Sequence, residues 1–235
     1  MTPQQWFRLT QAIVRTLGDS NRTDELLVAE ELVSRGRFER LHRQLAPRLA
    51  VDPEAKALMR DKPRLARSDI DFAALAALPS DTLGGTYARH LERYQLDPDL
   101  LAGAAGAASG AGYRDPDTAF LHERYRQSHD LWHALTGLGT EGYEEVLLHA
   151  FTWAQLRLPY SALIVLFGAV KHMLLERRWE TLTRGLNDAW QAGREAAPLL
   201  LVRWEDRWER PVASVRGAFR IRVIGRADEG ARHAA

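Results

Sequence analysis

Cysteine is absent from all 235 residues. Disulfides and thiolate metal ligands are therefore excluded, and any metal must be held by His, Asp or Glu. Lysine is scarce, at Lys56, Lys62 and Lys171 only. Arginine carries the positive charge, a skew that follows genome base composition rather than recognition chemistry. The formal net charge is +1, with both signs spread along the chain, so no basic stripe offers itself to nucleic acid. The opening residues Met1 to Trp6 lack both a cationic n-region and an apolar h-region, so no secretory signal is read and a reduced, cytoplasmic setting is expected. Spanning a bilayer takes about 20 consecutive apolar residues. The run Ala162 to Val170 falls short, ending at Lys171 and His172.

What is present is enough for a core: 46% hydrophobic residues, seven of the 235 being Trp. The length fits one large domain, and no internal repeat or low-complexity boundary divides it. Helical spacing of apolar residues runs almost from end to end. It predicts helices over Gln4 to Leu17, Asp24 to Ser34 with Thr23 as cap and Gly36 closing it, Phe38 to Leu45, Pro53 to about Met59, and Ala73 to Leu78. Ser80 or Asp81 is expected to cap Thr82 to Tyr94. Its Gly84-Gly85 pair signals either a close approach or a loop reaching Gly85, and the loop is preferred. Leu101 to Tyr113, mostly Ala and Gly, reads as a linker or a weak small-residue helix. Helices are then expected from Asp115-Pro116-Asp117 to about Gly137, Tyr143 to Leu156, Tyr160 to Leu175, Arg178 to Ala192, Leu199 to Glu209, and a last one near Arg216. Phe219 to Val223 reads as extended, and 225–235 as a disordered tail. The expected fold is a single all-α domain over 1–235, a helical bundle with a metal site between two antiparallel helices.

That site begins at His129-Asp130-Leu131-Trp132-His133. On a helix the two histidines lie one turn apart on one face. Eight histidines in the chain make a lone His-x-x-x-His pair ordinary; the adjacent Asp130 and the apolar setting, where an uncompensated polar cluster is costly to bury, make this one less so. Three glycines in Gly137 to Gly142 permit a sharp reversal, which brings Glu141, Glu144 and Glu145 beside the last turns of the preceding helix. Carboxylates at a helix N-terminus have an independent reason in the macrodipole, so at most one of the three is required as a ligand. His149, one turn after Glu145, is a further candidate near the centre. A His/Asp/His/Glu set without thiolate suits zinc, ferrous iron or manganese, and ligand type does not choose among them.

The stretch Arg124 to Gly137, with His-Asp-x-x-His, eleven residues and then Glu145, resembles the signature of the coenzyme Q biosynthesis family of the fourth Coq protein. Leu78-Pro79-Ser80-Asp81-Thr82-Leu83-Gly84 followed by Tyr87, then Ala154-Gln155, and Trp204-Glu205-Asp206-Arg207-Trp208 before Pro211, are similar to other parts of it. The likeness covers about residues 60–222. It implies an all-α protein with a divalent metal, usually zinc, at His129, Asp130, His133 and Glu145. It also implies removal of the C1 carboxylate of a polyprenylated hydroxybenzoate in ubiquinone synthesis, and association with the other ubiquinone-synthesis enzymes. Asp130 and Glu145 are then the catalytic candidates for handling a proton, and Arg124, Arg126 and Gln155 the candidate contacts to substrate. Peripheral membrane contact on the inner face and a homodimer are expected alongside. The chain departs from mitochondrial members in lacking a targeting segment, and in having Glu144 and Thr152 where Gly and a second Glu are frequent, which marks a bacterial branch.

Two other readings use the same residues. A prenyl-lipid-binding scaffold would use the metal only to tie two helices. A phosphohydrolase of the HD type would need an earlier histidine, His90 or His122, and a distant acid, Asp188. The apolar run from Ala162 reads as a core helix, and the resemblance adds a prenyl-pocket wall.

Overall fold

Helix boundaries in this chain follow its capping residues. The computed structural model describes residues 23–100, 113–140, 142–174 and 179–225, and among them are nine α-helices, one 3₁₀ turn and no strand. The helix expected at Gln4 to Leu17, the 101–112 stretch, Glu141 and the 226–235 tail lie outside the described residues. In order come α1 (Thr23–Val51), α2 (Pro53–Asp61), α3 (Phe72–Ala77), α4 (Leu83–Tyr94), α5 (Pro116–Thr136), α6 (Gly142–Leu156), α7 (Pro159–Leu174), α8 (Trp179–Glu195), the 3₁₀ turn Trp204–Arg207, and α9 (Val212–Phe219). Asp52, Asp71, Thr82 and Asp115 each turn a side-chain oxygen onto the first free N–H groups of α2, α3, α4 and α5, the groups that have no partner inside the helix. The cap of α4 is thus Thr82, one residue past the expected Ser80 or Asp81.

Three expectations change. The helices expected on either side of Gly36 are one, α1, which also runs through Pro47. Phe38 and Leu41 bury themselves beyond the glycine, and that burial outweighs the ~1 kcal/mol helix penalty of Gly. Leu199 to Glu209 is helical only at Trp204–Arg207. Leu199, Leu200, Leu201 and Val202 are all buried, and a run buried on every side carries no period to read. Finally, the Gly84-Gly85 pair is helical and marks a close approach. A Cβ on Gly84 would meet Leu78, Leu75 and the Cβ of Trp208, and one on Gly85 would run into the carbonyl oxygen of Pro79. The Gly84 N–H donates to the Trp208 carbonyl at 2.8 Å.

One contiguous core links Phe38, Leu58, Leu83, Leu121, Trp132, Phe151, Leu182 and Trp204. Helix α5 runs through it: 15 of its 21 residues are buried, so its polar side chains must find partners inside the protein. Its far end is held with unusual completeness. The His133 carbonyl accepts from the Gly137 N–H, with Gly137 at φ +72°, and from Leu138. Arg216 donates to the Ala134 and Leu135 carbonyls at 3.1 and 2.8 Å. Ile224 and Gly225 donate to that of Thr136. The last turn of α5, which carries His133, is therefore fixed from outside the helix.

Candidate metal centre

The reversal after α5 is clamped by an acid. Glu144 accepts the Gly139 N–H at 2.9 Å, which folds α6 back along α5 and leaves the next carboxylate facing the histidines. His129 Nε2 lies 3.4 Å from Glu145 Oε2, His133 Nε2 lies 3.1 Å from Glu145 Oε1, and the two Nε2 atoms are 3.3 Å apart. One ligand atom from each of the three falls within 4.8 Å of the others. Of the carboxylates available at the turn, Glu145 joins the histidines and Glu144 serves the turn.

The donor set suits a cation. Two imidazole nitrogens and a carboxylate point at one another, and only a proton or a positive ion reconciles three converging acceptors. His133 is fully buried, and its other nitrogen, Nδ1, has no hydrogen-bond partner. Burial works against charge on His129, yet the hydrogen bond and attraction of Glu145 hold its pKa above the ordinary histidine value. Burial likewise opposes the Glu145 carboxylate, and the facing His133 and His129 keep its pKa well below the usual range. A third of the Glu145 side chain and 16% of that of His129 remain exposed, so the site is open on that side.

Asp130 stands outside this group of three. Successive helix residues point about 100° apart, so it leaves the face that His129 and His133 share. It is close enough to interact with His129, His133 and Glu145, and burial raises its pKa. The substrate-contact candidates have partners within the protein. Arg124 makes a paired contact with Glu205, at 2.6 and 2.9 Å, and donates to the Val202 carbonyl. Arg126 binds Glu30 at 2.6 and 2.9 Å. Gln155 donates to the carbonyls of Gly193 and Ala196 and accepts from the Leu199 N–H, fastening the end of α8 to α6. These three residues position helices.

Other groups near the centre come from elements that the motif does not touch. His90 of α4 has its ring centre 5.7 Å from that of His133, the planes 18° apart. His149 of α6 lies 5.6 Å from His129, with Nδ1 3.2 Å from the Ser161 hydroxyl of α7. Burial pushes both histidines down to about 3. Four imidazoles thus stand in a row, 90–133–129–149. Farther along α5, His122 Nε2 lies 2.7 Å from Glu30 and its Nδ1 2.7 Å from the Tyr113 hydroxyl. Of the groups that phosphohydrolysis would need, His90 does stand beside His133, but His122 is taken by Glu30 and Asp188 is exposed on α8. His90 had one sequence signal, its place on the apolar side of α4 between Tyr87 and Tyr94; the Glu30–His122 pair, 92 residues apart, had none.

The chain was then compared with known proteins. The family model Coq4, coenzyme Q (ubiquinone) biosynthesis protein, matches residues 1–224. A mitochondrial ubiquinone biosynthesis protein COQ4 of Coprinopsis cinerea is 30% identical over 177 residues, 75% of this chain and 58% of that protein. A mitochondrial COQ4 homolog of Drosophila ananassae is 30% identical over 213 residues, 91% of this chain and 76% of that protein. The chain thus spans less than two thirds of the Coprinopsis relative. The crystal structure of a Nostoc punctiforme protein assigned to ubiquinone biosynthesis superposes with a TM-score of 0.68 at 22% identity, over 92% of this chain and 95% of that one. That likeness concerns the fold.

Proposed function

The chain belongs to the Coq4 family of coenzyme Q (ubiquinone) biosynthesis proteins, and from that premise we propose that it is a metal-dependent decarboxylase. Its substrate in this reading is a polyprenylated hydroxybenzoate, from which the C1 carboxylate is removed. The observation that carries the reading is the convergence of His129, His133 and Glu145 within 4.8 Å beside an open face of the molecule. These three residues would hold the ion, with Asp130 next to them. A divalent cation bound there supplies Lewis-acid polarisation of a substrate oxygen. Two histidines and one carboxylate leave coordination positions for substrate, which favours a catalytic over a structural site. When the carboxylate leaves as CO2, C1 takes a proton, and Asp130, whose burial favours the protonated acid, would supply it. An oxidative version would install a hydroxyl at C1 and require a redox-active ion. Mass spectrometry of products from the zinc- and iron-loaded protein in air separates the two.

Helix α7 supports the lipid side of this reading. Its first turn delivers Tyr160 and Ser161 toward His149, while Leu166, Phe167 and Val170 stay exposed at 57, 46 and 48%. Among the described residues no helix is long and apolar enough to cross a membrane, so contact with a bilayer or a prenyl tail would be made by such a face. Partners would be the enzymes of the same synthesis.

Deleting the gene in its host and extracting lipids tests the assignment: a prenylated hydroxybenzoate that retains its carboxylate should accumulate. Glu145→Gln should abolish metal uptake and turnover, and should lower the melting temperature of the metal-free protein modestly because Glu145 is paired with His129 and His133. Retained turnover would overturn the catalytic reading. Loss of the melting-temperature gain that metal confers on wild type, or lower recovery of partner enzymes, with no turnover in the wild type to lose, would favour the scaffold.

A further inference from the structure

His133 turns Nε2 toward His129 and Glu145, so Nε2 is its ligand atom. A neutral imidazole that binds a metal through one nitrogen carries its proton on the other, and that N–H ordinarily has an acceptor which fixes tautomer and ring orientation. The Nδ1 of His133 is sealed from solvent and has no hydrogen-bond partner. Neither has the Nε2 of His90, also sealed, on a residue only 9% exposed. Each orphan of this kind costs roughly 1–3 kcal/mol, and a group out of reach of solvent must find its partner among the atoms already packed beside it.

The two orphans are on adjacent rings. The ring centres of His90 and His133 are 5.7 Å apart with their planes 18° from parallel. Two imidazoles joined by an N–H···N bond have centres roughly 5 Å apart; at 5.7 Å the two rings lie nearly parallel and unbonded, so the bond forms when one ring turns and closes on the other. Tyr94 packs on His90 with ring centres 4.8 Å apart. Placement of α4 is itself constrained, because Gly84 and Gly85 let it approach the chain at Leu78, Pro79 and Trp208 more closely than a side chain would permit. We propose that His90 is a positioning residue of the metal centre: its Nε2 accepts the Nδ1–H of His133 and holds that ring in the tautomer and orientation that present Nε2 to the cation. The inference rests on the metal reading above and extends it to a helix outside the motif.

Two matched pairs test it. His90→Phe keeps an aromatic ring and removes the nitrogen. His90→Met and His90→Gln have similar size, and only Gln carries an acceptor. Zinc and cobalt affinities are measured by competition with a chelator, alongside urea unfolding of the metal-free proteins. The Phe and Met variants should bind metal about 10–100-fold more weakly, and Gln should recover most of the loss. The metal-free Phe variant should unfold at a urea concentration no lower than wild type, because one orphaned nitrogen has been removed. Nitrogen-15 NMR of the zinc-loaded wild type should show a slowly exchanging Nδ1–H on His133 that disappears in the Phe variant. Equal metal affinity in wild type, Phe and Met would overturn the proposal. Should the Phe variant fail to fold, the Gln/Met pair decides alone. If the wild-type protein takes up no metal, the metal reading falls first and this inference with it.

Discussion

Individual histidines set the acid sensitivity of this protein. Burial pushes His90 and His149 down to about 3, against about 6.5 in an unfolded chain. As pH falls below about 6.5 the unfolded chain binds protons that the folded chain refuses, so the contribution of each histidine is complete above that pH and lost progressively toward about 3. Between about pH 7 and pH 5 each withdraws about 2 kcal/mol. His129 acts in the opposite sense. Glu145 holds it above its ordinary value, so it adds stability below about 6.5 and loses it as pH rises through its folded-state value. Asp130, raised by burial, opposes them in the same sense as His129, so the test is made by difference. His149→Gln should make the urea midpoint of the metal-free protein fall less, or rise more, between about pH 7 and pH 5 than wild type does. An identical pH dependence in the two proteins would show that His149 binds its proton equally well folded and unfolded.

At the scale of elements, the behaviour of α4 and α5 depends on where their ends are tied. Helix propensity alone makes Gly85→Ala stabilising by about 1 kcal/mol. The carbonyl of Pro79 stands where the new Cβ would go, so the sign reverses: the variant should lose about 1–3 kcal/mol, as overpacked sites do. Thermal melts of the two proteins decide between propensity and packing, and a raised melting temperature would mean that α4 has room to shift. Helix α5 illustrates the same dependence. Its Arg126 and Arg124 are held by Glu30 of α1 and by Glu205 in the 3₁₀ turn, and its last carbonyls by Arg216, Ile224 and Gly225. Ligand geometry at His129 and His133 is thus stiffened by contacts well away from the centre, as a preorganised site requires.

For the molecule as a whole, α7 joins the polar surroundings of His149 to an exposed apolar stripe. Leu163, Leu166, Phe167 and Val170 follow helical spacing, and the last three are exposed, a patch of a kind that soluble surfaces keep small. Helix α7 packs inward on α6 and α1, so this stripe faces outward, and the lipid contact proposed above would use it. Replacing Leu166 and Phe167 with Glu should reduce co-flotation with phospholipid vesicles severalfold and leave the melting temperature within about a degree, because exposed positions contribute little to stability. Unchanged flotation would assign the face to another purpose.

Much of the fold was legible because it depends on local chemistry. Pro53 and the Asp115-Pro116 pair stand where helices begin, and Gly137 where the turn requires a positive φ. The heart of the candidate site was legible for the same reason: the four-residue spacing of His129 and His133 places both on one face of any α-helix. The chain order by itself therefore determined most of the helices, the pairing of the two imidazoles and a turn that returns a carboxylate to them; the structure chose Glu145 for the histidines and Glu144 for the turn. Only the tertiary structure decided that Arg124 and Arg126 serve Glu205 and Glu30, and that His90 arrives from another helix beside His133. Periodicity tells which side of a helix is buried; which neighbour it meets there depends on contacts between residues up to 153 positions apart, and those are settled by packing.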